Sequence, residues 1–246
     1  MNVILLQPDE IKDNIAEIRG RRLKHILRTL KSSPGDRLRI GIINGPLGTA
    51  TIREIESRKI ILEINTRDTI PLSPDTDLVL ALPRPIMLKR ILYQAANMGI
   101  RRLFLINSGR VEKSFFNASI LKQDNYLTYL HHGLEQAVDT LIPEVTVYKG
   151  FKPFVEDVLP GLRRQVSHFL LPHPDGRKNL MESAPPPLQG RALVAVGPEG
   201  GWLDYEVEKF REQGARVFNM GNRILRVDTT VTAVLAQIDL LRQFKT

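Results

Sequence analysis

The stretch ALVAVGPEGGWLDYEVEKF, residues 192–210, runs an unbroken apolar segment straight into Gly-Pro-Glu-Gly-Gly and then into a helical pattern. An apolar run without alternation reads as a strand covered on both faces, the usual state of a strand in a parallel sheet. A plain connector needs one glycine, yet residues 197–201 hold three glycines and a proline. Glycine reaches backbone angles closed to other residues and presents bare N–H and C=O groups, so the chain here is built to approach something closely. In open parallel α/β sheets, ligands bind beyond the carboxyl ends of strands. Residues 197–201 sit at such an end, with Asp204 the expected N-cap of the next helix. The spacing is neither G-x-G-x-x-G nor a P-loop with its Lys-Ser/Thr, which disfavours the usual phosphate cradles.

The same strand-then-helix rhythm extends in both directions. Apolar runs recur at 78–83, 102–107, 145–148, 167–172 and 216–221, and helical patterns cover 85–99, 119–140, 151–164, 204–214 and 228–243. This alternation predicts an α/β domain with a mostly parallel sheet over residues 73–246. Residues 1–72 read differently. Short strand candidates at 36–45, 48–56 and 58–65, broken by Pro34-Gly35 and Asn44-Gly45-Pro46, predict a separate small β domain. The two prolines within 69–77 suggest a linker, and APPPLQG at 184–190 a loop.

Composition narrows the function classes. No apolar run approaches the ~18 residues of a membrane span, and the mean hydropathy is −0.15. The N-terminal MNVILLQPDEIKDN lacks a basic segment and a small-residue cleavage site, so a cytoplasmic protein without a signal peptide is expected. The absence of cysteine excludes disulfides, thiolate metal sites and cysteine nucleophiles. Adjacent His131 and His132 point to different sides of a helix, and no metal site is expected there. A net charge of +8 favours a polyanionic partner. The run 19–31 concentrates that charge: Arg19, Arg21, Arg22, Lys24, Arg28 and Lys31 occur there with no acid among them. No aromatic residue precedes Tyr93, so the β domain would hold RNA by phosphates and not by base stacking. Trp202, the single tryptophan, is expected to pack against the sheet.

A second constellation lies in NMGNRILRVDTTVTAVLAQIDLL, residues 219–241. Gly221, Arg223 and Arg226 occupy a strand-end loop, and Asp228-Thr229-Thr230 open an amphipathic helix. Two arginines beside a helix start make an anion or RNA site. The apolar positions Val231, Val234, Leu235, Ile238 and Leu241 form one stripe, able to face the sheet or a second copy of the chain.

VGPEGGW (196–202) followed by MGNRILRVDTTVTAV (220–234) resembles the signature pair of the RsmE family. HILR (25–28), GDRLRI (35–40), LEQAVDTLIPEV (134–145) and LLPHP (170–174) extend the likeness along the chain. The resemblance implies a SPOUT-superfamily α/β domain with a deep trefoil knot, a PUA-like N-terminal β-barrel and a homodimer. It implies transfer of a methyl group from S-adenosylmethionine to N3 of a uridine in 16S ribosomal RNA, with the small ribosomal subunit as partner. By the same resemblance the cofactor is held by Leu171, Pro172 and His173, by Gly197, Pro198, Glu199, Gly200 and Gly201, and by Met220, Gly221, Ile224 and Leu225. RNA contacts are expected from Arg21, Arg22, Arg28 and Arg223. Arg226 is the candidate for stabilising the uracil anion, and either Asp228 or Glu199 for accepting its proton. The chain departs from the family pattern at Asn97, Gly109, Asp139 and Leu141, and has Asp228 where the family prefers Glu. These departures leave two rivals open: methylation of another RNA position, such as a ribose 2′-hydroxyl, and a non-catalytic RNA-binding or ribosome-assembly protein.

Overall fold

The computed structural model describes residues 1–244, leaving aside the side chains of 66–68. The chain forms two compact units. The first comprises Met1–Ser73 together with His131–Ile142, and the second Pro74–Leu130 with Pro143–Thr246. A single division between 72 and 73 does not capture the segment His131–Ile142, which joins the first unit across a long sequence separation.

The first unit contains β1 (Ile4–Leu6), β2 (Ile11–Lys12), β3 (Ile15–Ile18), α1 (Gly20–His25), β4 (Arg37–Ile42), β5 (Leu47–Ile55) and β6 (Ile60–Thr69). One six-stranded sheet runs in the order β1-β4-β5-β6-β3-β2, antiparallel except for β1 against β4. Period-two alternation sends Leu38 and Ile40, Ala50 and Ile52, and Ile60 and Leu62 inward, while Arg37 and Arg39 stay exposed. The sheet curls around this core, and β1 and β2 form its two edges. Helix α1, prolonged by a wider turn over Ile26–Leu30, contributes Leu23 and Ile26 to the same core. His131–Ile142 is tied in by hydrogen bonds from the Asn2 and Val3 N–H groups to the Glu135 carbonyl (2.8 and 3.2 Å). The Thr140 hydroxyl adds a bond to the Gly45 carbonyl at 2.6 Å.

The second unit continues with β7 (Thr76–Ala81), α2 (Pro85–Asn97), β8 (Arg102–Ile106), α3 (Gln123–Ala137, its last turns counted with the first unit) and β9 (Glu144–Tyr148). Then come α4 (Phe151–Pro153), α5 (Leu159–Arg163), β10 (His168–Pro172), α6 (Leu180–Ser183), β11 (Ala192–Val196), α7 (Asp204–Glu212), β12 (Arg216–Phe218) and α8 (Val227–Gln243). All neighbours in its sheet are parallel, in the order β12-β10-β11-β7-β8-β9. Every residue of β7 and of β11 is buried, which explains their unbroken apolar runs apart from Thr76 and Asp77. Asp77 is held by Arg101 and Arg102, each with a 2.7 Å hydrogen bond.

One expectation changes here, and one open alternative closes. The cap of α7 is Leu203, not Asp204, because the Glu206 carboxylate one turn in accepts the Leu203 N–H at 2.8 Å. The stripe Val231, Val234, Leu235, Ile238 and Leu241 is buried within its own unit, where α8 packs on α2 and β11, so it is not free for a second copy.

Candidate active site

The chain segments that follow β10, β11 and β12 converge on one cleft of about 480 Å³. These strands are neighbours in the sheet, so their carboxyl ends lie side by side. The volume suits a nucleoside-sized ligand. Of the residues singled out in the sequence, Pro172, His173, Gly197, Pro198, Glu199, Gly201, Met220, Gly221, Ile224 and Leu225 line it. Leu171 and Gly200 do not. Leu171 is fully buried within β10, and the Gly200 carbonyl is taken by the Arg110 guanidinium. The cleft also gathers Met87, Asn219 and Thr230, which sequence reasoning missed.

Glycine serves these positions in two ways, by close packing at Gly197 and by a positive φ at Gly201 and Gly221. A Cβ on Gly197 would come within 3.2 Å of the Trp202 indole and backbone N. Gly201 has φ +75°, and its N–H closes the turn on the Pro198 carbonyl at 2.8 Å. Trp202 is 3% exposed and packs edge-on against Phe210, with ring centroids 5.0 Å apart, as well as against Phe151. Its indole wall therefore belongs to the aromatic core and to the cleft at once. The loop after β10 and the chain leaving β12 are pinned together. His173 N–H donates to the Phe218 carbonyl, Asn219 N–H to Lys178, and the Asn219 side-chain amide to Gly176 at 2.7 Å.

The charged groups divide by position. Arg226 lines the cleft with its side chain 65% exposed, and its Nε lies 3.6 Å from an Asp228 oxygen. Asp228 itself does not line the cleft. Its carboxylate, mostly buried, sits between Arg226 and Arg90 and also accepts the Thr229 N–H at 3.0 Å. Glu199 does line the cleft, and one of its oxygens accepts the Arg84 backbone N–H at 3.1 Å. Arg223 is exposed at the cleft and forms no ion pair among the described residues.

The basic run of the first unit is less uniform than its sequence. Arg22 is inserted between the Leu5 carbonyl (2.7 Å) and the Glu10 carboxylate, with which it makes a two-pronged pair. Arg21 grips the buried Glu135 carboxylate at 2.6 and 2.8 Å. These two arginines are therefore committed within the protein, whereas Arg28 is exposed without an ion pair among the described residues. Their acidic partners lie 12 and 114 residues away, where a local reading cannot pair them.

Residues 71–239 match the model of the RNA methyltransferase domain family. The chain is 32% identical to the ribosomal RNA small subunit methyltransferase E of Treponema pallidum, over 97% of this chain and 90% of the relative. The enzyme of the same name from Bacillus subtilis is 21% identical, with 92% and 91% covered. Among solved structures, the Neisseria gonorrhoeae ribosomal RNA small subunit methyltransferase E bound to S-adenosyl methionine superposes with a TM-score of 0.77 at 18% identity, covering 97% of this chain and 98% of that one. No helix among the described residues is long and apolar enough to cross a membrane. With the family model covering the whole second unit's sheet and a relative matched almost end to end, the chain belongs to the RsmE family of ribosomal RNA small subunit methyltransferases.

Proposed function

We propose that the protein methylates N3 of a uridine in 16S ribosomal RNA, using S-adenosylmethionine held in the cleft formed after β10, β11 and β12. The observation that carries the cofactor assignment is the cradle itself. Gly197, Gly201 and Gly221 leave room or adopt angles that a side chain would disturb, and Met87, Val196, Trp202 and Leu225 supply apolar walls. Among the described residues, the N–H groups of Met220, Ile224 and Leu225 carry no intrachain hydrogen bond and are open to a ligand. Such a surface suits a flat heteroaromatic ring recognised by backbone groups.

The cofactor, when bound, supplies an electrophilic methyl group on a sulfonium. The rest falls to the chain. Uracil N3 carries a proton and attacks only after losing it; the N3–methyl bond then forms as the sulfur–methyl bond breaks. Arg226, at the cleft with its side chain mostly exposed, donates to a uracil carbonyl as negative charge gathers there. Glu199 is the better placed of the two carboxylates to accept the proton, because it faces the cleft while Asp228 lies beneath Arg226 and holds it. Arg223 and Arg28 hold phosphates, and Arg21 and Arg22 support the fold instead. A homodimer is part of the same reading. It is supported by apolar side chains left exposed on α2 (Ile86, Tyr93), on α8 (Leu240) and at Phe244 just past the end of α8; the two helices pack on each other.

The test is single-turnover methyl transfer to small-subunit particles, with the modified nucleoside identified by mass spectrometry. Arg226→Lys keeps the charge but loses the planar fork. The expected result is a fall in kcat of roughly a hundredfold or more with cofactor affinity within a few-fold, as for a group acting on charge that develops in the transition state. Wild-type turnover in Arg226→Lys, or methyl found on a ribose oxygen, would overturn the assignment.

A further inference from the structure

We propose that residues 108–110, leaving β8, clamp the Gly-rich turn after β11, and that Arg110 and Glu206 are positioning residues for the cofactor site. The inference rests on reading the cleft as that site. Residues 197–203 form no regular structure and close only one backbone hydrogen bond among themselves, Gly201 to Pro198. Three glycines make such a turn costly to order. The order comes from outside. Glu206 is fully buried, and its two carboxylate oxygens each take a backbone N–H at 2.8 Å, one from Gly109 and one from Leu203. That single carboxylate ties the loop after β8 to the end of the turn. Arg110, beside Gly109, donates from its guanidinium to the Gly200 carbonyl at the turn's middle.

The clamp and the cleft use different residues. Gly109, Arg110, Gly200, Leu203 and Glu206 do not line the cleft, whereas Gly197, Pro198, Glu199, Gly201 and Trp202 do. The turn is thus gripped at positions other than those it offers to a ligand. The fit is tight on the clamp side. A Cβ on Gly109 would lie 2.3 Å from the Leu203 Cδ1, and one on Gly200 would lie 3.1 Å from the Arg110 Cδ. Gly109, one of the departures from the RsmE pattern, is therefore matched by Leu203 filling the space beside it. A site held in its binding shape before the ligand arrives spends less of the interaction on ordering.

Arg110 is exposed, so its truncation leaves the core intact. Wild type, Arg110→Ala and Arg110→Lys would be titrated with S-adenosylmethionine by calorimetry, and amide hydrogen exchange over 197–203 followed without cofactor. Arg110→Ala is expected to weaken cofactor binding roughly tenfold, the scale of one charge-assisted hydrogen bond. It should also speed exchange at 197–203, raise the cofactor KM and leave kcat at saturation near wild type. Arg110→Lys, which can still reach a carbonyl, should recover part of the affinity. In the same way, Gly109→Ala should weaken binding and Leu203→Ala should restore it in the double variant. Wild-type affinity in Arg110→Ala overturns the clamp alone. So does weaker binding without faster exchange, since Arg110 would then act on the ligand directly. A wild type that binds no S-adenosylmethionine overturns the reading of the cleft and the clamp with it.

Discussion

Gly176 lies where the loop after β10 meets the chain leaving β12, and a Cβ there would stand 2.3 Å from the Phe218 carbonyl carbon and 2.4 Å from the Asn219 N. Both obstacles are backbone and cannot turn aside as a flexible side chain would. Gly176→Ala should therefore push the two segments apart, at a cost of about 1–3 kcal/mol for overpacking. It should also weaken cofactor binding, because His173 and Asn219 line the cleft from these same two segments. Denaturant unfolding and cofactor titration would measure the two effects, and an alanine variant of wild-type stability would show that the crossing is loose. Nothing in the sequence singles out Gly176, which reads as an ordinary turn glycine in HPDGRK. Its requirement comes from a segment more than forty residues later in the chain. The glycines of 197–201 and Gly221 are different: their clustering at strand ends was visible without coordinates.

At the scale of elements, α1 and the turn after it show how one basic run splits into two roles. Burial works against the Glu10 charge, but hydrogen bonds from Arg22 and from the Gln7 N–H bring its pKa below the usual carboxylate range. The same pair raises Arg22. The stabilisation is thus complete above the carboxylate range and fades as pH falls through the lowered Glu10 value. Arg22→Ala is expected to cost about 2 kcal/mol near neutral pH, the penalty of stranding a partly buried charge. Denaturation at pH 7 and at acidic pH should show that difference shrinking on acidification. Arg28→Glu should do the reverse: unfolding unchanged, but weaker binding to ribosomal RNA and a shallower salt dependence. An unchanged salt slope would show that Arg28 touches no phosphate. The sequence showed a concentration of charge, whereas which arginines were already occupied depended on Glu10 and Glu135 arriving from elsewhere.

For the whole molecule, the apolar stripe of α8 illustrates a limit of periodicity. The spacing of Val231, Val234, Leu235, Ile238 and Leu241 says that this face is buried but not against what, and the fold spends it on α2 and β11. The proposed dimer must use other surface, and Ile86, 68% exposed on α2, is the first candidate. Sedimentation should give a mass near twice the 27.9 kDa chain, with Ile86→Asp shifting it toward the monomer; a wild type that sediments as a single chain at micromolar concentration would exclude the dimer. The amino-acid sequence alone determined the parallel α/β character of the second unit, because unbroken apolar strands and 3.6-residue patterns are local properties. It likewise singled out the three loops that meet at the cleft, because glycine clusters and the RsmE signatures are contiguous. Only the tertiary structure decided that His131–Ile142 belongs with the first unit and that Asp228 holds Arg226 instead of facing the cleft. It alone also placed Glu206 as the tie between two distant loops. Each of those facts is a meeting of residues far apart in the chain, and periodicity carries no information about which distant groups will meet.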